Sequence, residues 1–321
     1  MFSNRIRYTT LQTLILCLLI GLLAGCGSSS TVSPVEAPSP APGHATATAQ
    51  AATAAASATS APTLTPSATP EPPALRVNGE GVSLAEFEAD LSQLQEAQQA
   101  LGKTADPEAQ RQQVLDNFIE MLLLAQGAAE SGYSVDDAAL QAAIDRLAGQ
   151  LGSPQALQDW MASRGYTEAA FRAALRRQLA AAWQRDAIAG SVPAEAEQVH
   201  ARQILTLDEN IAKEALALVQ IPGTNFAAYA YRYDLQTGGD LGWFPRGYLT
   251  QPQVEEAAFA LQPGEFSEII QSEVGYHIVQ VIAREPSRGI SPDARRVLQH
   301  KALQNWLEGR REAAQIEILL P

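Results

Sequence analysis

The chain has 321 residues, enough for two domains of ordinary size. Its 22 Lys and Arg against 35 Asp and Glu leave a net charge of −13, which argues against a nucleic-acid partner, because phosphate binding needs a basic footprint. Both cysteines, Cys17 and Cys26, lie at the extreme N-terminus and the four histidines are scattered, so the rest of the chain offers no disulfide, no cysteine nucleophile and no zinc cluster, and no cofactor or metal is expected.

Arg5 and Arg7 precede a short apolar run, Leu14 to Ala24, which has the pattern of a targeting segment and is too short to span a bilayer comfortably. Leu23-Ala24-Gly25-Cys26 resembles the bacterial lipobox. That resemblance implies a signal peptide over residues 1–25, cleavage before Cys26 and lipidation of Cys26. A plain signal peptide or short anchor with a chance cysteine is the alternative. Several acyl chains would hold the protein stably on a membrane, whereas one would be marginal. Residues 26–74 are almost entirely Ala, Thr, Ser and Pro, with Glu36 and Glu71 as the only charges. Such a segment cannot bury enough apolar surface to offset chain entropy, so it is expected to be a disordered tether.

Order is expected from Leu75. Arg76-Val77-Asn78-Gly79-Glu80 predicts a strand entering an Asn-Gly hairpin turn. Ser83-Leu84-Ala85-Glu86 is a capping box, with Val82 and Phe87 as its hydrophobic staple, and opens a helix to about Leu101. Asp106-Pro107 opens the next, with Val114, Phe118, Met121, Leu122 and Ala125 at helical spacing and Gly132 as its stop. A third helix carries Leu140, Ile144, Leu147 and Leu151. A fourth opens at Ser153-Pro154, and a fifth at Thr167 carries Phe171, Leu175, Leu179 and Trp183. Five amphipathic helices in about 110 residues must pack on one another or on a neighbouring element.

From Gln198 the pattern turns mixed. Strands are expected at Gln198–Leu207, Leu241–Phe244, Ile269–Gln271 and Tyr276–Ala283, and helices at Asn210–Gln220, Asn225–Tyr233 and Pro252–Leu261. Gly238-Gly239-Asp240 is a tight turn feeding the second strand. A tail helix from Pro292 to about Arg311 precedes a short strand at Ile316 and Ile318.

The order Val199-His200-Ala201-Arg202-Gln203-Ile204-Leu205, Gly238-Gly239-Asp240-Leu241-Gly242-Trp243-Phe244, Glu255 to Leu261, Pro263-Gly264-Glu265 and Gly275-Tyr276-His277-Ile278-Val279 closely resembles the parvulin (rotamase) family of peptidyl-prolyl isomerases. The helices before it resemble the N-terminal region of SurA/PrsA-type envelope foldases. Together these imply an α+β fold, with a helical chaperone-like domain and a parvulin domain built on a small antiparallel sheet flanked by helices. The implied division is a helical domain at 75–197, a parvulin-like domain at 198–286, and a C-terminal helix and strand at 287–321 that complete the helical domain. In that architecture the strand near Ile316 and Ile318 packs close to the one near Leu75 and Val77.

The parvulin resemblance also implies the site. Its network is usually two histidines, a Cys or Asp, and a Ser or Thr. His277 matches the second histidine and Ser272 the hydroxyl. Gln203 stands where the first histidine falls; His200 does not, because strand alternation puts it on the opposite face. Glutamine keeps a donor and an acceptor but cannot titrate. The segment Asp234 to Thr237 is shorter than the family's loop, and Asp234 is its one carboxylate, either as a member of the network or as a turn residue capping Thr237. The proline pocket maps to Leu241, Leu249 and Val254, with Phe259 behind them; Val254 replaces a larger family residue and implies a shallower pocket.

Two functional readings follow from the resemblance. One is a lipid-anchored, extracytoplasmic prolyl isomerase assisting the folding of exported polypeptides. The other is a foldase-like chaperone that grips unfolded clients with weak or no isomerase activity. The partners implied are unfolded or proline-containing exported polypeptides and a membrane of the cell envelope.

Overall fold

The computed structural model describes residues 72–102 and 106–320. The expected signal peptide, Cys26 and all of the tether before Pro72 lie outside them. Order starts slightly earlier than expected, because strand β1 (Pro73–Val77) takes in the last tether residues. β1 turns through Asn78 (φ 54°) and Gly79 (φ 85°) into β2 (Glu80–Ser83). Positive φ at both central residues is what a two-residue hairpin on twisted strands requires.

The helical caps form where the sequence places them. Ser83 Oγ accepts from Glu86 N–H (3.2 Å) to open α1 (Leu84–Ala100), and Asp106 Oδ1 accepts from Glu108 N–H (3.0 Å) to open α2 (Pro107–Glu130). Ser153 and Thr167 cap α4 (Pro154–Ser163) and α5 (Glu168–Gly190) in the same way, and Asp136, a cap not expected from the sequence, opens α3 (Asp137–Leu151). Each such bond satisfies a helix-end donor worth about 1 kcal/mol.

These helices bury two clusters. Phe118, Ile119 and Leu122 of α2 pack with Leu75, Val77, Val82 and Phe87 under the first hairpin. Leu140 and Leu147 of α3 pack with Leu157, Phe171 and Leu175 in a separate lobe. A fully buried side chain of this kind stabilises by about 1.5–3 kcal/mol, and α1 joins the first cluster through Phe87, its one buried residue.

The chain then enters β3 (Glu195–Thr206), followed by α6 (Glu209–Val219), α7 (Phe226–Tyr233), β4 (Asp240–Pro245), α8 (Pro252–Ala260), β5 (Ile270–Ser272) and β6 (Gly275–Gly289). The four strands form one antiparallel sheet in the order β4-β3-β6-β5. One face is covered by α8, burying Val199, Ala201, Phe244, Val254, Phe259, Val279 and Val281. Ile204 and Ile278 pack with Ala215, Val219, Phe226 and Ala230 of α6 and α7 on the other.

β3 and β6 outrun the expected strands. They pair from Thr206↔Tyr276 to Glu195↔Gly289, with bulges at Ala196/Gln198 and His200/Ala201. Most of the extra residues are polar, and several are held by side-chain bonds, such as Ser287 Oγ–H to Glu195 Oε2 (2.7 Å), so apolar alternation does not mark them.

α9 (Pro292–Ala313) returns along the helical module, where Ala302, Leu303, Trp306 and Leu307 meet Leu124, Ala125, Ala181 and Ile188. β7 (Ile316–Ile318) then closes the first sheet in the order β2-β1-β7, with Leu75 opposite Ile318 and Val77 opposite Ile316. The two ends of the described chain therefore share one sheet and one core, across a separation of more than 200 residues. Among the described residues no helix is long and apolar enough to cross a membrane.

Candidate active site

Gln203 and His277 sit on the two central strands, β3 and β6. Their strand neighbours Ala201 and Val279 are buried in the cluster beneath α8, and the period of two puts Gln203 and His277 on that same face. The His277 ring is almost fully buried, at 2% exposure. Its Nδ1 lies 2.8 Å from Gln203 Oε1 and its Nε2 lies 2.7 Å from Ser272 Oγ, at the end of β5. An amide oxygen can only accept, so Nδ1 carries the proton and Nε2 accepts from the Ser272 hydroxyl. Ser272 Oγ also receives the Val274 N–H (3.1 Å), which fixes the hydroxyl in the turn before β6. Burial holds the imidazole below its ordinary pKa, so the neutral tautomer of this chain of bonds persists at neutral pH.

Gln203 is itself fixed by the turn that precedes β4. Gly239, at φ +72°, passes so close to β3 that a Cβ there would stand 1.9 Å from Gln203 O. The approach lets Gln203 N–H donate to Gly239 O (2.8 Å). Only a residue without a side chain allows this contact. The Gly-Gly-Asp turn thus clamps the backbone that presents the Gln203 amide.

Leu241, Leu249, Val254 and Phe259 all belong to the apolar cluster on this face. They divide by exposure. Leu241 and Leu249 are half-buried and reach the surface, whereas Val254 (2%) and Phe259 (4%) are core residues behind them. Arg284 holds the α8 end of this cluster by donating to Phe259 O and Leu261 O, both at 2.7 Å.

Asp234 is not brought to this network. Its carboxylate accepts from the Gln236 and Thr237 N–H groups (2.9 and 3.2 Å) and from the Thr237 hydroxyl. The Thr237 hydroxyl and these amides hold its pKa well below the usual carboxylate range. The segment after α7 is too short to carry Asp234 away from its own turn, so of the four network candidates the structure groups Gln203, His277 and Ser272.

Sequence reasoning missed a histidine–carboxylate pair on the other face of the sheet. His200 Nε2 lies 2.8 Å from Asp240 Oδ1, and the His200 ring stands 5.5 Å from that of Trp243, over which Arg288 stacks at 4.4 Å. Burial alone would raise the Asp240 carboxyl, but the Gly242 N–H and His200 outweigh it and hold it low. His200 alternates with the buried Val199 and Ala201, so this pair faces away from His277. Among the described residues no three His, Cys, Asp or Glu side chains group as metal ligands.

Comparison with known proteins matches this arrangement in two pieces. A family model described as a SurA-like N-terminal domain matches residues 56–184, and one described as a PPIC-type PPIase domain matches residues 194–283. The chain therefore carries a SurA-like N-terminal domain followed by a PPIC-type rotamase domain. Over 149 residues it is 33% identical to the chaperone SurA of Dechloromonas aromatica, covering 40% of this chain and 34% of that one. Over 89 residues it is 42% identical to the foldase protein PrsA of Caldanaerobacter subterraneus, covering 26% and 28%. The chain thus spans about a third of the length of these curated relatives. A crystal structure of PrsA from Bacillus anthracis overlaps 60% of this chain and 94% of its own at 26% identity, with a TM-score of 0.38. The buried Gln203–His277–Ser272 line lies within the matched rotamase domain, and α1 to α5 lie within the SurA-like match except for the end of α5 after residue 184.

Proposed function

We propose that the rotamase domain catalyses cis/trans isomerisation of X–Pro peptide bonds, with Leu241 and Leu249 gripping the proline ring beside Gln203, His277 and Ser272. The observation that carries this is the hydrogen-bonded line of those three residues at the edge of an apolar cluster. Rotation about the peptide C–N bond meets a barrier of about 18–20 kcal/mol because the planar amide is resonance-stabilised. No bond to the enzyme is needed. Catalysis needs only that the site bind the twisted amide better than the planar one.

The residues suit that task. On twisting, the prolyl nitrogen regains its lone pair and becomes an acceptor. Gln203 Oε1 is engaged by His277, while among the described residues its Nε2–H₂ has no hydrogen-bond acceptor and is available to donate to that nitrogen. His277 and Ser272 fix the Gln203 side chain and, being neutral, add no charge to a desolvated pocket. Replacing His277 by Ala frees the Gln203 amide to rotate and should lower kcat/KM for a proline-containing peptide by about tenfold or more. Parental turnover in His277→Ala would remove the basis for this assignment.

A second reading, a chaperone that grips extended clients with little turnover, draws on Asp234 being held in its own turn and on a residue at 203 that does not titrate. Suppressed aggregation of an unfolded client without acceleration of prolyl isomerisation distinguishes it.

The same proposal extends to the whole chain. Residues 75–197 with 287–321 act as a client-binding helical domain, and residues 198–286 act as the isomerase domain inserted in it. Cys26 is lipidated and holds the protein on the extracytoplasmic side of an envelope membrane, where exported polypeptides are its clients. The leader and lipobox pattern support the anchor. Its test is transfer of a palmitate label in cells, which Cys26→Ala should abolish.

A further inference from the structure

The connection from β4 to α8 has no regular structure, yet it carries Leu249 to the candidate proline pocket. Its backbone is held from two sides. From inside the rotamase domain, Glu255 accepts from Gly247 N–H (2.6 Å) and Leu249 N–H (3.0 Å). From outside, the Lys301 ammonium on α9 donates to Leu249 O (3.3 Å). One turn earlier on the same face of α9, Leu298 presses on the connection: a Cβ on Gly247 would stand 3.0 Å from Leu298 Cδ2.

α9 is in turn fixed to the helical domain. Ala302, Leu303, Trp306 and Leu307 pack on α2 and α5, and Gln299 Nε2 donates to Ala189 O at the end of α5 (3.2 Å). Trp306 lies so close to α2 that a Cβ on Gly127 would meet its ring at 2.6 Å. One rigid helix therefore touches the core of the helical domain and the backbone of a pocket residue in the other domain.

We propose that Lys301 is a positioning residue of the proline pocket, through which the helical domain sets the place of Leu249 and hence the grip on the proline ring. The inference rests on the isomerase reading above. A bond from a charged donor to a loop carbonyl restrains an otherwise irregular connection. Without it the connection relaxes outward, and Leu249 contacts the ring less closely in the planar and twisted states alike. Loss of such uniform binding raises KM and leaves kcat unchanged.

The test compares the full chain with Lys301→Met, which keeps the alkyl stem, and Lys301→Arg, which keeps a cationic donor. The substrate is an alanyl-prolyl-phenylalanyl peptide. Lys301→Met should raise KM about three- to tenfold with kcat within about twofold of the parent, and Lys301→Arg should restore most of the parental KM. Parental KM in Lys301→Met, a loss confined to kcat, or equal impairment of both variants would overturn the proposal. A parent chain with no turnover would overturn the isomerase reading instead. The positioning role is then read from the dissociation constant of the same peptide, measured by NMR titration, where the same three- to tenfold weakening in Lys301→Met is expected and an unchanged value overturns it.

Discussion

Gly239 and Gly242 allow a controlled test of how the turn before β4 builds the site. Both hold left-handed backbone, at φ +72° and +67°. An alanine in that region costs roughly 1–2 kcal/mol at either position. They differ in surroundings. At Gly242 an added Cβ meets nothing within 4 Å, whereas at Gly239 it would lie 1.9 Å from Gln203 O and 3.1 Å from Gln203 C. Gly239→Ala must therefore push the turn off β3 and break the 2.8 Å bond from Gln203 N–H to Gly239 O, adding about 1 kcal/mol for that bond and about 1 kcal/mol or more for displaced strand backbone. We expect Gly239→Ala to lose about 3–4 kcal/mol and Gly242→Ala about 1–2 kcal/mol. Urea unfolding followed by tryptophan fluorescence, with Trp243 in the adjoining strand, measures both. The Gly239 variant should also lose isomerase activity under conditions where it remains folded. Equal destabilisation of the two variants, within about 0.5 kcal/mol, would refute the claim that the turn clamps Gln203.

Other expectations concern charge and topology. His277 is buried and neutral, so below its ordinary value of 6.5 the folded chain binds fewer protons than the unfolded one, and stability should fall as pH drops from about 6.5. In His277→Asn that acid dependence of the urea midpoint should flatten; an unchanged slope would place the titration elsewhere. Asp90, on α1 beside Trp160, Tyr166 and Phe171, is raised from 3.8 to about 7 by burial and then by Glu86, with Arg164 opposing. A raised acid destabilises as it ionises, so its contribution is fullest below 3.8 and is lost as pH rises to about 7. Asp90→Asn should therefore raise the melting temperature at pH 8 and leave it near parental at pH 4, and equal melting at both pH values would contradict this. Truncation after Gln315 removes the pairing of β7 with Leu75, Arg76 and Val77 and the Leu319 N–H bond to Ala74 O. It should cost about 2–4 kcal/mol in the transition of the helical domain, and no change there would separate the chain ends energetically.

Much of this arrangement is legible in residues close together in sequence. Ser83, Asp106, Ser153 and Thr167 are short polar side chains just ahead of apolar runs, and each caps its helix because the unpaired amides it serves lie two or three residues away. The Gly-Gly-Asp turn and the strand after it are readable for the same reason. Features that depend on distant partners are not. The polar ends of β3 and β6 show no apolar alternation because each is held by the other strand. Asp234 reads equally well as a network member or as a turn cap, and only the path of the chain decides that it serves Thr237. Lys301 and Leu249 are 52 residues apart, and nothing in either local pattern announces their contact. His200 is set apart by alternation alone, but its partner Asp240 lies 40 residues away on another strand.

The most direct test is the rate at which the full chain interconverts the cis and trans forms of a proline peptide, measured by exchange NMR, which needs no coupling protease. The Gln203–His277–Ser272 site predicts acceleration over the uncatalysed rate, a loss of about tenfold or more in His277→Ala, and a further gain or parental rate in Gln203→His, where a donor and acceptor remain. Exchange at the uncatalysed rate in the parent chain, with the peptide bound, would contradict catalysis by this site.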